Sequence, residues 1–121
     1  MKNFSIEPSS LQGSLWIPSS KSQTLRAILF AALASGTSKI FHALPSPDTD
    51  AMIRAVQLLG AQVSVEKDCL TIQGCNGHLQ APEDVIHCGN SGIVLRFIGA
   101  LAALMPHYTV LTGDASIRYQ R

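Results

Sequence analysis

Apolar and polar positions follow one another along this chain in a pattern that predicts a mixed α/β structure. Helical spacing of apolar residues predicts helices over about 21–35, 49–59 and 90–105. Alternation of apolar and polar residues predicts strands over about 14–17, 37–43, 62–66, 69–73 and 107–111, and the third and fourth strands are close enough to form a hairpin. The predicted order is therefore strand, helix, strand, helix, strand, strand, helix, strand, with an irregular stretch over 74–87.

Short polar residues and glycines mark the ends of the predicted helices. Ser20 or Ser22 is expected to cap the first helix, and Gly36 to follow it in the C′ position. Asp48 is expected to cap the second helix, which Gly60 ends.

The first and third predicted helices are apolar on nearly every side, whereas the second has a polar face. An all-round apolar helix is typical of a protein interior. We therefore expect helices inside and sheets outside, the reverse of a doubly wound sheet. At 121 residues and 46% hydrophobic content, the chain has the size and apolar content of one small domain.

Charge and cysteine content narrow the classes of function. The net charge of +1 argues against a nucleic-acid or membrane surface that binds by bulk electrostatics. Three irregularly spaced cysteines suit free thiols in a reducing compartment, and no signal segment is seen, so a cytoplasmic location is expected. A zinc site drawn from these cysteines with His78 and His87 matches no ordinary finger, so no metal is expected.

Positive charge is nonetheless concentrated in three short segments, 18–26, 89–96 and 111–121. In the first, Lys21, Ser22 and Arg26 stand at the start of a predicted helix, where backbone N–H groups and the helix dipole favour an anion. A phosphate or carboxylate held there would meet backbone donors, a hydroxyl, an ammonium and a guanidinium together. Simple capping by serines is the favoured interpretation when this segment is taken alone.

Three motifs occupy these segments. The first reads Pro-Ser-Ser-Lys-Ser-x-x-x-Arg over 18–26, the second Gly-Asn-Ser-Gly-x-x-x-Arg over 89–96, and the third Leu-Thr-Gly-Asp-x-Ser-Ile-Arg-x-x-Arg over 111–121. Together, in this order and spacing, they resemble the 5-enolpyruvylshikimate-3-phosphate synthase family. The resemblance implies an inside-out α/β barrel fold, in which each of two similar domains has three βαβαββ units with the helices packed inside.

The resemblance also implies an extent, a reaction and its substrates. It covers about the first quarter of a family member, so we expect an N-terminal fragment in which residues 1–18 pair with the far domain and residues 19–121 begin the N-terminal domain. The implied reaction transfers the enolpyruvyl group of phosphoenolpyruvate to the 5-hydroxyl of shikimate 3-phosphate, in chorismate biosynthesis, without metal or organic cofactor. The two substrates are the implied partners, with neither nucleic acid nor membrane, and the full-length enzyme is expected to be a monomer.

Positions that match the motifs receive roles from the resemblance. Lys21 would lie between the two substrates and take part in catalysis, while Ser22 and Arg26 would hold shikimate 3-phosphate. Gly92 would let phosphoenolpyruvate approach the backbone at a helix start, where a Cβ would intrude. Arg121 would clamp the same substrate with its guanidinium group.

Further matched positions carry weaker assignments. Asn90 would be an additional binding residue, and Arg96 is expected to be structural, tied to a carboxylate such as Asp48 because a buried arginine is costly without a partner. Ile93 stands where the family usually has threonine and Phe97 where it often has proline. Both follow Gly92 closely, so we expect an altered phosphoenolpyruvate pocket that binds glyphosate less well than is typical of the family.

Two other functions stay open at this point. The sister enolpyruvyl transferase that acts on a UDP-linked amino sugar has asparagine beside the motif lysine and lacks the arginine at the Arg26 position, which disfavours it. A non-catalytic anion-binding fragment is the second alternative, because the acid and base residues of the family's second domain are absent from this sequence. The 121-residue chain alone is expected to be inactive.

Overall fold

Four helices and five strands make up the part of the chain that the computed structural model describes, residues 3–119. The predicted α/β class is confirmed. The elements are helix α1 (Lys21–Leu33), strand β1 (Thr37–Phe41), helix α2 (Pro47–Leu58), strands β2 (Gln62–Val65), β3 (Cys69–Gln73) and β4 (Ile86–His87), helix α3 (Gly92–Ala102), strand β5 (Leu111–Thr112) and helix α4 (Ala115–Arg118).

The strands form two sheets. Strands β1, β3 and β2 lie in that order in an antiparallel sheet, with Thr37 opposite Gln73 and Val65 opposite Leu70. The predicted hairpin, β2 with β3, is therefore confirmed. Strands β4 and β5 pair in parallel, with Ile86 opposite Leu111.

Helices α1 and α2 pack against each other and against the antiparallel sheet. The face of β3 that turns toward them carries Leu70 and Ile72, both buried. Helix α3 contacts α2 and β5, and among the described residues it buries only Val94 and Ile98 fully. Burial on most sides, as predicted, thus holds better for α1 than for α3 in this chain, because fewer elements surround α3. The largest fully buried side chains include Leu25, Ile28, Met52, Leu59, Ile72, Ile86 and Ile98.

The stretch predicted to be irregular, 74–87, closes the end of α1. The N–H groups of Cys75, Asn76 and Gly77 donate to α1-end carbonyl oxygens at 2.8, 3.0 and 2.9 Å. Gly74 lies so near the Ala34 carbonyl oxygen that an added Cβ would overlap it. This close approach, rather than a turn, explains the glycine.

Several predicted boundaries are wrong. The strand expected over 14–17 is not formed: residues 3–20 have no ladder partner among the described strands, and Trp16 is 98% exposed. Helix α1 ends earlier than predicted because Ala34 is already extended, so Gly36, with φ of +78°, lies one residue beyond the C′ position. The strand predicted over 107–111 is reduced to Leu111–Thr112.

Helix α2 begins two residues before the predicted start. Ser46, not Asp48, is its N-cap, because the Ser46 hydroxyl accepts a hydrogen bond from the Thr49 N–H at 3.2 Å. Pro47 occupies the first helical position, where its missing N–H costs nothing. Asp48 therefore lies in the first turn with its carboxylate available to another partner.

Candidate functional site

The first basic segment forms the start of α1 as expected. Ser20 is the N-cap, and its hydroxyl accepts from the Gln23 N–H at 3.4 Å. The neighbouring Lys21 and Ser22 N–H groups belong to the turn that has no intrahelical acceptor. The positive end of the helix dipole and these N–H groups together favour an anion at this point.

Ser22 and Arg26 lie one turn apart and are joined by hydrogen bonds. The Arg26 guanidinium donates from Nη1 to the Ser22 hydroxyl at 2.5 Å and to the Ser22 carbonyl oxygen at 3.2 Å. Both contacts use one guanidinium nitrogen, which leaves Nε and the second terminal nitrogen as donors for a ligand. The sequence correctly placed these two side chains on one helix face.

Lys21 is held by a carboxylate that the sequence assigned elsewhere. Its Nζ lies 3.6 Å from Asp48 Oδ2 in the first turn of α2. Asp48 was expected to pair with Arg96, but Arg96 is exposed, and among the described residues it has no ion-pair partner. That expectation is wrong because the start of α2 lies beside the start of α1.

Two buried threonines explain how the starts of α1 and α2 meet. The Thr24 hydroxyl of α1 accepts from the Leu44 N–H at 3.1 Å, and the Thr49 hydroxyl of α2 donates to the Leu44 carbonyl at 2.7 Å. Leu44 is thereby anchored to both helices through its backbone. This clamp sets Asp48 opposite Lys21.

The second segment forms the start of α3. Ser91 is buried, and its hydroxyl accepts from the Val94 N–H at 3.3 Å, which makes it the N-cap. Gly92 is the first helical residue, and a Cβ added to it would meet only Arg96 Nη1, at an ordinary 3.6 Å. Packing within the described chain therefore does not require glycine at position 92.

The third segment is bound directly to the second. The Ser116 hydroxyl lies 2.6 Å from Asn90 Oδ1 and 2.7 Å from Asp114 Oδ1, and the Asp114 N–H donates to the Gly89 carbonyl at 2.9 Å. Gly113 is required here, because a Cβ would lie 2.7 Å from that same Gly89 oxygen. Asn90 thus uses its carbonyl oxygen for structure and keeps its amide N–H groups as donors.

Asp114 caps the short helix α4. Its carboxylate accepts from the N–H groups of Ser116 and Ile117 at 2.9 and 3.2 Å. The hydrogen bond from the Ser116 hydroxyl, with smaller contributions from these N–H groups and from Arg118, lowers the pKa of Asp114 below its usual range. Arg121, expected to clamp phosphoenolpyruvate, lies outside the described residues.

The first segment also contacts helix α3, at the residue that follows the second segment. The Arg26 guanidinium carbon lies over the Phe97 ring, 5.8 Å from its centroid. Motif contacts thus run from α1 through Phe97 to α3 and from Asn90 to the third segment. A groove of about 640 Å³ lies elsewhere, between Trp16–Ser19 and the loops at 42–45 and 66–68, and none of Lys21, Ser22 or Arg26 lines it.

The sequence missed three contacts of this site. They are the Lys21–Asp48 ion pair, the Ser116–Asn90 hydrogen bond and the Arg26–Phe97 contact. The positions themselves were readable as parts of motifs, but pairings between residues so far apart in the chain have no local signal.

The cysteine and histidine side chains could also react or bind a metal ion, and they lie outside the three basic segments. Burial raises the pKa of the Cys88 thiol, and Cys69 and Cys75 are half-buried free cysteines. His87 Nδ1 accepts from the Gly89 N–H at 3.1 Å. Within residues 3–119, no three His, Cys, Asp or Glu side chains lie close enough to hold a metal ion, and no helix is long and apolar enough to cross a bilayer.

The fold and the joined segments define an α/β protein whose first helix begins with a lysine and carries an arginine one turn further on. The family model for EPSP synthase (3-phosphoshikimate 1-carboxyvinyltransferase) matches residues 6–120. The chain is 44% identical over 118 residues to 3-phosphoshikimate 1-carboxyvinyltransferase from Chlamydia felis, covering 98% of this chain and 26% of the relative. It is 52% identical over 114 residues to the protein of that name from Methanosarcina mazei, covering 94% of this chain and 26% of the relative.

A solved structure agrees with these matches. EPSP synthase from Acinetobacter baumannii superposes with a TM-score of 0.83 at 31% identity, over 89% of this chain and 25% of that one. The chain therefore belongs to the EPSP synthase family. It spans about a quarter of the length of the relatives it matches.

Proposed function

We propose that this chain forms part of the substrate site of a 3-phosphoshikimate 1-carboxyvinyltransferase. That enzyme transfers the enolpyruvyl group of phosphoenolpyruvate to the 5-hydroxyl of shikimate 3-phosphate and releases phosphate, a step of chorismate and aromatic amino acid biosynthesis. Membership of the family supports the reaction. Because the chain spans about a quarter of its relatives, turnover belongs to a longer protein that contains it.

The start of α1 is the part of the site that binds shikimate 3-phosphate. The observation that carries this assignment is the Arg26–Ser22 pair, a guanidinium fixed beside a hydroxyl one helical turn from uncapped N–H groups. A phosphate at this place would receive charge-assisted hydrogen bonds from Arg26 and Lys21 together with helix N–H donors. Lys21 lies nearest the helix start and serves both substrates.

The start of α3 is the part that receives phosphoenolpyruvate. Packing among the residues that the structure describes does not require glycine at position 92, which supports close approach of a ligand to its backbone. Asn90 can add its amide N–H donors, since its oxygen is engaged by Ser116. Arg121 supplies a second guanidinium for the same substrate.

Domain organisation follows the same proposal. Residues 19–121 form the first part of the N-terminal domain, and residues 1–18 pair with the far domain. The exposure of Trp16 and Ile17, at 98% and 77%, supports a partner outside these 121 residues. The longer protein acts as a cytoplasmic monomer on two small anionic substrates, and the net charge of +1 in this part supports the absence of nucleic-acid or membrane binding by bulk electrostatics.

Binding of shikimate 3-phosphate to the 121-residue chain tests the proposal. Charge-assisted hydrogen bonds contribute about 1.5–3 kcal/mol each, so Arg26→Ala should weaken binding about 10- to 150-fold. Arg54→Ala is the matched control, because Arg54 is an exposed arginine of α2 outside the three segments. Titration calorimetry measures the dissociation constant for shikimate 3-phosphate in both variants and in the parent chain.

Three results would bear on the proposal directly. Loss of binding in Arg26→Ala with retention in Arg54→Ala supports it. Equal binding by all three proteins would contradict the assignment of Arg26 to the substrate. Turnover by the chain alone, assayed with both substrates, is expected to be undetectable.

A further inference from the structure

The aromatic ring of Phe97 lies against the guanidinium group that the proposed function assigns to shikimate 3-phosphate. The Arg26 guanidinium carbon is 5.8 Å from the ring centroid, within the range of a cation–π contact. The two residues stand on different helices, α1 and α3. Phe97 is half-buried and packs against the core, so its ring has a fixed support, whereas Arg26 is exposed.

Arg26 has two anchors before any ligand arrives. Ser22 accepts from Nη1, and Phe97 meets the guanidinium from the side of α3. A free arginine side chain loses much of its rotamer freedom when it is fixed, and that loss weakens ligand binding. A side chain that is already held loses less, so both anchors favour binding.

The type of contact matters as much as its presence. A cation over an aromatic ring is attracted by the ring's electrons without giving up its N–H donors to an acceptor. An ion pair with a carboxylate would fix Arg26 equally well but would compete with an anionic ligand. Among the described residues, no carboxylate forms an ion pair with Arg26.

We propose that Phe97 is a positioning residue that holds the Arg26 guanidinium in the orientation that binds the substrate anion. The role rests on the proposed function of Arg26. The resembled family often has proline at this position, and proline has no aromatic face, so the role depends on the phenylalanine that this chain carries. The residue couples the α1 start, which binds one substrate, to helix α3, whose start binds the other.

The experiment compares Phe97→Leu with Phe97→Tyr in the 121-residue chain. Leucine keeps apolar bulk without a ring, whereas tyrosine keeps the ring. Phe41→Leu is the matched control, because Phe41 is an exposed phenylalanine of β1 outside the motifs. Two quantities are measured: the NMR shifts of the Arg26 side-chain protons in the free chain, and the dissociation constant for shikimate 3-phosphate.

Ring currents should shift the Arg26 side-chain protons upfield in the free chain and in Phe97→Tyr, but not in Phe97→Leu. Phe97→Leu should bind shikimate 3-phosphate about 2- to 5-fold more weakly, the effect of one exposed cation–π contact. Phe97→Tyr should restore affinity, and Phe41→Leu should change neither quantity. The ring-dependent shift reports the contact itself, and weaker binding by Phe97→Leu with recovery in Phe97→Tyr separates positioning from packing, because leucine keeps the apolar bulk without the ring.

Each contrary result has its own meaning. If Arg26 protons show no ring-dependent shift, the contact does not exist in solution and the role of Phe97 is refuted, whether or not the chain binds shikimate 3-phosphate. If the shift is present and Phe97→Leu binds as tightly as the parent chain, positioning is refuted while the proposed function stands. If the shift is present but the parent chain does not bind, the proposed function fails and the positioning role fails with it.

Discussion

Asp48→Asn tests the electrostatics of the α1 start through stability and affinity at once. The Asp48 carboxylate lies 3.6 Å from Lys21 Nζ, and the Lys21 side chain is 49% exposed and that of Asp48 22%. Ion pairs with this much solvent contribute about 0.2–1 kcal/mol. The substitution should therefore lower the free energy of unfolding only slightly, by less than about 1 kcal/mol.

Affinity for an anion should change in the opposite direction. A phosphate that contacts Lys21 would lie about 7 Å from the Asp48 carboxylate, where two unit charges repel by about 0.6 kcal/mol in water and a dianion is repelled twice as strongly. Removing this repulsion should tighten binding about 3-fold for a singly charged phosphate and about 7-fold for a dianion at low ionic strength, and less at physiological salt. Loss of the ion pair also gives the Lys21 side chain more conformational freedom, which opposes this gain. The opposing effect is small, because the half-exposed Lys21 side chain is only loosely held by the ion pair.

Urea unfolding measures the stability change, and calorimetric titration at two salt concentrations measures the affinity. Asp50→Asn is the matched control, because Asp50 lies in the same first turn of α2 without an ion pair to a described residue. If Asp48→Asn binds more weakly while Asp50→Asn is unchanged, orientation of Lys21 outweighs repulsion and the reasoning is wrong.

Three further predictions concern the scaffold. Gly74→Ala should lower the free energy of unfolding by at least about 1–3 kcal/mol, because its Cβ would overlap the Ala34 carbonyl. Gly99→Ala, whose Cβ would lie 3.6 Å from Leu111, should raise the free energy of unfolding by about 0.5–1 kcal/mol, because alanine favours a helix more than glycine does. A urea-unfolding experiment that ranks the two variants otherwise refutes this packing. Iodoacetamide at neutral pH should label Cys69 and Cys75 before the buried, high-pKa Cys88, and equal rates by mass spectrometry would contradict that burial. Because the pKa of Asp114 is lowered, its capping of α4 should be complete above the ordinary pKa of 3.8 and should be lost as pH falls through the lower pKa of the folded state. A titration midpoint at or above pH 3.8 in the amide shifts of Ser116 and Ile117 would contradict the lowered pKa.

Features set by neighbouring residues could be predicted from the sequence. The β2–β3 hairpin follows from two alternating segments around a short polar turn, and the Ser20 cap follows from serine before an apolar helix. The N-cap of α2 could also be predicted from the sequence, because a serine followed by a proline, as in Ser46 and Pro47, is typical of an N-cap and a first helical residue. The prediction of Asp48 as the N-cap is wrong because this signal favours Ser46.

Features set by distant residues could not be predicted. Strand β4 has two residues, and it exists because β5, far along the chain, offers a parallel partner. The Lys21–Asp48 ion pair depends on the backbone of Leu44 being held between two buried threonines. Phe97 departs from the pattern of the resembled family, which the sequence does show. Its contact with Arg26 depends on how α1, α2 and α3 pack, which the sequence does not show.

We propose that the starts of α1 and α3 together form one site for anionic substrates. Amide NMR shifts of the 121-residue chain, recorded during titration with shikimate 3-phosphate and then phosphoenolpyruvate, test it most directly. The amides of Lys21, Ser22 and Gly92 should respond together, while those of the β2–β3 hairpin should stay unchanged. Responses confined to the groove between residues 16–19 and 66–68, or absent from both helix starts, would contradict it.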